Sequence, residues 1–257
     1  MEDPSGPLKT VYDEAEAFER EEVVRLPTLS TEELLRELEL WIGKEEDARP
    51  LNKRLAKFDL ASMGEPSALS SKFPNFDSSS YLKDVLLSSL TRRIQRQCWA
   101  YAIPTSDIIT ECVKFIAGNR VLEIFAGRGL WARFLADQGV DIVATDNKST
   151  HLDHDASTFF PIENLNAQEA ISQYSDRNVL LLIWPPMDTG SEIKSFPGNK
   201  IIYVGEGRRG CTGEDGMFDE LYAHWTLVKT LPCPYVIHGK LKFNALNDHV
   251  WCYVRDN

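Results

Sequence analysis

The sequence predicts an α/β protein with a mostly parallel sheet, preceded by a helical N-terminal extension. Two observations carry this. From about residue 120 onward, short apolar runs alternate with helical stretches, the pattern of strands joined by crossover helices. The first of these runs enters a glycine-containing turn that opens a helix, and the second ends in an acid.

The chain has 257 residues, 43% hydrophobic and 26% charged, the composition of an ordinary globular protein. It has no apolar run of eighteen residues, and its N-terminus lacks a signal peptide's basic start and apolar core, so a cytoplasmic location is expected. Cys98, Cys112, Cys211, Cys233 and Cys252 are scattered, with no CxxC pair. Free thiols are expected, and no metal site. His151-Leu-Asp153-His154-Asp155 has no third ligand group in view and reads as a polar surface loop.

The net charge of −11 is unevenly placed: residues 1–50 hold fifteen acidic and six basic side chains. The remainder is nearly balanced, so nucleic acid is disfavoured as a partner without being excluded.

Residues 1–28 read as an acidic tail, mobile or loosely docked, and 29–100 as the helical extension. Ser30 and Glu33 form a capping box for a helix over about 30–43, with Leu34, Leu35, Leu38, Trp41 and Ile42 at helical spacing. That apolar stripe must be buried on the main domain or on a protein partner. Ser62–Ser80 reads as a connecting loop. A second helix, about Tyr81–Cys98, has Leu82, Leu86 and Leu90 inward. Arg92, Arg93 and Arg96 near its end form a solvated face or contact a substrate anion.

The main domain is expected over 101–257. Thr105 or Ser106 caps a third helix with Ile108, Ile109, Cys112, Val113 and Ile116 inward, closed by Gly118. Strands are expected at 120–125, 141–145, 179–183 and 200–204, with a final pair near 226–231 and 249–254.

In Arg120-Val-Leu-Glu-Ile-Phe-Ala-Gly-Arg-Gly-Leu, the first strand carries Glu123 and enters the turn Phe125-Ala126-Gly127-Arg128-Gly129. Glycine is needed where backbone must approach a ligand or adopt positive φ. Asp146, at the end of the second strand, is placed to accept both hydroxyls of a ribose, with Asn147 beside it. Phe125 occupies the first glycine position of the dinucleotide fingerprint, which argues against NAD.

This stretch resembles motif I of the class I, Rossmann-like methyltransferases that use S-adenosyl-L-methionine (SAM). The resemblance covers about residues 115–255. It implies a SAM-binding fold whose terminal β-hairpin reverses the last strand. It also implies that Glu123 orients the methionine amino group, directly or through water. Phe125, Ala126, Gly127 and Gly129 would line the methionine and ribose, and Asp146 and Asn147 would meet the ribose. Asn166 and Ala167 would meet the adenine.

Trp184-Pro185-Pro186-Met187 resembles the polar-Pro-Pro-aromatic motif of methyltransferases that modify planar nitrogens. Trp184 stands in the polar position and Met187 in the aromatic one, so the usual hydrogen-bond role is lost. A carbonyl of Trp184 or Pro185 could still receive an amine, or the segment is a rigid strand-end loop covering SAM, with Trp184 against the cofactor. Gly205-Glu206-Gly207-Arg208-Arg209-Gly210-Cys211-Thr212-Gly213 offers Glu206 as general base or amine anchor, or as a loop carboxylate bonded to local N–H groups. Arg208 and Arg209 either contact an anionic substrate or are solvated, and Cys211 has no partner that would make it a nucleophile. Tyr101 and Trp99 read as lid or core, with Tyr101 the catalytic candidate of the two.

Three functions are weighed. The first is a methyltransferase acting on a nitrogen or oxygen of a small molecule, peptide or nucleotide. The second is a SAM-binding scaffold or inactive regulatory subunit that engages a protein through residues 30–43. The third, an NAD-linked oxidoreductase, is disfavoured by Phe125.

Overall fold

The structure, a computed structural model, describes residues 6–43, 49–58, 78–147, 157–187, 189–234 and 247–256. Most of the loop expected over Ser62–Ser80, the side chain of Leu82 and the cluster His151 to Asp155 lie outside the described residues.

The N-terminal extension holds, among the described residues, α1 (Pro7–Arg25), α2 (Thr31–Ile42), α3 (Pro50–Leu55) and α4 (Ser78–Ile94), which runs into π-helical Gln95–Trp99. Next come α5 (Ser106–Ile116), β1 (Val121–Ile124), α6 (Leu130–Asp137), β2 (Ile142–Thr145), β3 (Ile162–Glu163) and α7 (Ala167–Gln173). The chain continues through β4 (Val179–Ile183), α8 (Gly190–Ser195), β5 (Lys200–Gly205), α9 (Asp215–His224), β6 (Trp225–Pro232) and β7 (His249–Arg255).

The seven strands form one sheet in the order β3-β2-β1-β4-β5-β7-β6. The first five are parallel, and β7 runs antiparallel between β5 and β6. This is the reversed terminal hairpin that the resemblance implied. Every residue of β1 and β4 is buried, as expected of strands covered on both faces. Alternation along the strands sorts the two cores. Leu122, Leu180, Leu182, Ile201 and Tyr203 face one layer with Ile171, Ile193 and Phe218. Val121, Val179, Leu181, Ile202 and Val204 face the other, with Ile108, Trp131, Phe134 and the N-terminal helices. The sequence pattern missed β3, because only two residues pair with Ala144 and Thr145.

One expectation is corrected. From Pro7 to Arg25 the chain is a helix rather than a mobile tail, with Val11, Ala15 and Phe18 buried. Glu14 and Glu21 pair with Arg54, and Glu16 and Glu19 pair with Arg93, so its acidic side chains face cations of the extension itself. Of the two places open to the apolar stripe of α2, the chain itself supplies one. Leu34, Leu38 and Trp41 are buried in the chain's own core, and Ser30 and Glu33 form the expected capping box. Thr105 caps α5 by accepting from Ile108 N–H.

Arg128 joins the extension to the sheet. Its guanidinium is buried and donates five hydrogen bonds, all to main-chain carbonyls: Val23, Gln97, Cys98 and Ser157, the last twice. It also lies 4.9 Å from the centroid of the Phe159 ring. Burial lowers its pKa to about 10, so it stays charged at neutral pH.

All five cysteines are unpaired, and four are buried. Among the described residues no helix is long and apolar enough to cross a membrane.

Replacing Arg128 by Met removes the donors from the buried Cys98 carbonyl and from part-buried carbonyls on three segments, which should destabilise the protein by about 3 kcal/mol. Urea unfolding of the variant measures this, and a loss below about 1 kcal/mol would contradict the joining role.

Candidate functional site

A cavity of about 410 Å³ opens at the carboxyl ends of β1, β2 and β4, where open α/β sheets bind ligands. Each sheet edge delivers one group of residues. Glu123, Phe125, Ala126 and Gly127 come from β1 and its turn, and Asp146 and Asn147 follow β2. Trp184, Pro185, Pro186 and Met187 follow β4. The opposite wall is the π turn and its continuation, with Arg96, Gln97, Trp99 and Tyr101, and Cys211 closes one side.

The β1 turn relies on left-handed backbone. Phe125 has φ 57° and Gly127 φ 56°. A non-glycine residue in that region carries strain of about 1–3 kcal/mol and persists only where its surroundings fix it. Asp146 accepts a hydrogen bond from Gly127 N–H at 2.9 Å, so the acid after β2 also braces the turn after β1.

Glu123 is only 1% exposed. It accepts from the backbone N–H of Ala132, yet its Oε2 has no hydrogen-bond partner among the described residues. Burial raises its pKa to about 8; the Ala132 N–H opposes the shift and the charge of Asp146 adds to it. An orphaned carboxylate oxygen facing a ligand-sized cavity calls for a cationic or hydrogen-bond-donating group.

Trp184 also has positive φ, at 50°. Its indole N–H donates to Asp248 Oδ2 at 2.9 Å, and its ring stacks on Tyr101 with centroids 5.2 Å apart. Asp248 was not singled out in the sequence, where it stands ahead of β7 in no recognisable motif. It is buried, its Oδ1 has no partner among the described residues, and burial raises its pKa.

Several expected roles change. Gly129 does not line the cavity; with φ 75°, it lets the turn pass Ile162 and Phe160, where a Cβ would meet Ile162 Cδ1 at 2.8 Å. Asn166 is spent as the N-cap of α7, its Oδ1 accepting from Glu169 N–H, and neither it nor buried Ala167 lines the cavity. Glu206 is likewise away from the cavity lining. Its carboxylate accepts from Cys211 N–H at 2.6 Å and Asn247 N–H at 3.1 Å, clamping the loop. Its burial would raise its pKa, but those backbone donors outweigh burial and lower it.

Pro185 contributes its carbonyl to Gly213 N–H at 3.4 Å, tying the β4 and β5 loops together rather than standing free for an amine. Arg208 pairs with Asp215 and Asp219, away from the cavity. A hydrogen bond to Glu206 raises the Cys211 pKa, which opposes a thiolate role. Among the described residues no cluster could hold a metal ion.

No family model matches the chain, and no curated protein matches it. Solved structures that are similar include a protein of the NADB-Rossmann superfamily from Streptococcus agalactiae, 11% identical, with a TM-score of 0.40. That similarity covers 62% of this chain and 72% of the other. A Streptococcus mutans protein, provisionally named a SAM-dependent methyltransferase, is 12% identical with a TM-score of 0.39. There the similarity covers 58% of this chain but only 48% of the other, about half its length. A third is the 1,6-didemethyltoxoflavin-N1-methyltransferase of Burkholderia thailandensis, with its bound substrate and S-adenosylhomocysteine. It is 13% identical over 76% of this chain and 93% of the other, with a TM-score of 0.41.

The raised Glu123 pKa has a pH consequence. The fold holds a proton there that the unfolded chain releases near 4.5, so this contribution to stability is complete below that pH and lost as pH rises through about 8. Glu123→Gln cannot ionise, so its ligand-free melting temperature at alkaline pH should exceed that of the unsubstituted protein by about 4 °C. A melting series from acidic to alkaline pH checks this; parallel curves would contradict the buried, unpartnered carboxylate.

Proposed function

We propose that the protein is a SAM-dependent methyltransferase acting on a nitrogen or oxygen of a small molecule, peptide or nucleotide. One observation carries the reading: the orphaned Oε2 of buried Glu123 shares a cavity with Asp146 and the backbone of the β1 turn.

These residues suit the parts of SAM. Glu123 would take the methionine ammonium, whose positive charge would reverse the penalty that burial places on its ionised form. The backbone of Phe125 to Gly127 would lie along the methionine and ribose, and Asp146 with Asn147 would meet the ribose hydroxyls. Asn166 and Ala167 are not assigned to adenine, because the first caps a helix and the second is buried. When bound, SAM supplies a methyl group already activated on a sulfonium.

The protein's part is then alignment and exclusion of water. A lone pair must be held in line with the methyl group, and well-oriented reactants can gain about 7–11 kcal/mol over free encounter. Tyr101 and Trp184 form the wall against which an acceptor would be held, with Trp184 fixed by Asp248. Glu206 acts through the loop it clamps and not as the base.

Calorimetric titration with SAM, S-adenosylhomocysteine and NADH tests the reading. Micromolar binding of the first two is expected, with none of NADH, and Asp146→Ala should weaken binding at least about ten-fold. NADH binding, or no binding of either SAM or its product, would sink it.

A further inference from the structure

Three arginines crowd the end of α4, and they do not do the same thing. Arg93 faces α1 and pairs with Glu16 and Glu19. Arg92 and Arg96, one turn apart, lie over the ring of Tyr101 at 5.8 and 5.5 Å from its centroid. Arg92 is also 4.9 Å from the Trp184 ring centroid and donates to the Tyr101 carbonyl at 2.8 Å. Neither forms an ion pair with any described carboxylate. Arg96 is exposed and lines the cavity.

Like charges at this helical spacing repel, and part-burial of Arg92 adds a desolvation cost. The charge of Asp248, the carboxylate that holds the Trp184 indole, acts on Arg92, whereas exposed Arg96, set on the Tyr101 ring at the cavity wall, is the guanidinium open to an external anion. Position says which one. The acids Glu123 and Asp146 belong to β1 and the segment after β2, whereas Arg92 lies over Trp184 after β4 and Arg96 over the Tyr101 ring that stacks on Trp184.

We infer that the acceptor is a small molecule carrying an oxyanion, carboxylate or phosphate, beside a planar ring. Arg96 is its direct contact, and Arg92 is the supporting charge behind Tyr101. The inference rests on the proposed function for its assignment to acceptor rather than donor, but the oxyanion preference itself does not.

The test uses fluorine NMR with three probes: para-fluorobenzoate, neutral para-fluorobenzamide and cationic para-fluorobenzylamine. They are titrated into the protein saturated with S-adenosylhomocysteine, and into the ligand-free protein. The benzoate should bind about ten-fold tighter than the other two. Arg96→Gln should abolish that preference and Arg96→Lys should keep part of it, with affinity for S-adenosylhomocysteine unchanged in both. Equal binding of the three probes, or a preference that survives Arg96→Gln, overturns the inference. So does a comparable loss of S-adenosylhomocysteine affinity in Arg96→Gln, which would give the arginine to the donor's own carboxylate. If S-adenosylhomocysteine does not bind at all, the proposed function falls. The benzoate preference of the ligand-free protein, with its loss in Arg96→Gln, then decides the oxyanion site alone.

Discussion

The guanidinium of Arg128 is the interaction on which the rest depends. It sits in the turn after β1, between the two glycines, and spends its five hydrogen bonds on carbonyls of α1, the π turn and Ser157. No carboxylate neutralises it among its hydrogen-bond partners, so carbonyl dipoles and the Phe159 ring stabilise the charge instead. Such an arrangement is intolerant of displacement, because the buried Cys98 carbonyl and its part-buried neighbours would lose a charged donor together. The turn that borders the cavity is thereby locked to the N-terminal helices. The extension is part of the site: Arg96, Gln97, Trp99 and Tyr101 form one wall.

Charge is divided across the cavity. Carboxylates stand where β1 and β2 end, and arginines stand over the aromatic pair near β4. Trp184 connects the halves. Its left-handed backbone, its bond to Asp248, the Tyr101 ring and the Arg92 guanidinium each restrict it. A position that carries a polar side chain in the resembled motif here carries an immobilised ring whose only donor is already occupied. Recognition on this side is therefore better served by surface and charge than by a hydrogen bond from Trp184 itself.

Local rules made much of the fold legible. Strand alternation and helical spacing give β1, β2, β4, β5 and the terminal pair to within a residue or two. The capping box at Ser30 and the cap at Thr105 are written in a few adjacent residues. The helix α1 was readable in retrospect from Pro7 at its start and the spacing of Val11, Ala15 and Phe18. Its dense glutamates obscured that signal, since their partners Arg54 and Arg93 lie far along the chain.

The sequence by itself determined the parallel sheet, the glycine turn and the placing of Glu123 and Asp146 at neighbouring strands, because periodicity and backbone strain act over a few residues. Only the tertiary structure decided which polar groups remain free. Asn166 and Glu206 carry the right chemistry but are consumed by backbone N–H groups, and Glu123 Oε2 is left over. Arg128 reaches Val23 across 105 residues, and Trp184 reaches Asp248 across 64. Contacts so distant leave no periodic trace in the chain, because they arise from the packing of whole elements and not from the preferences of neighbouring residues.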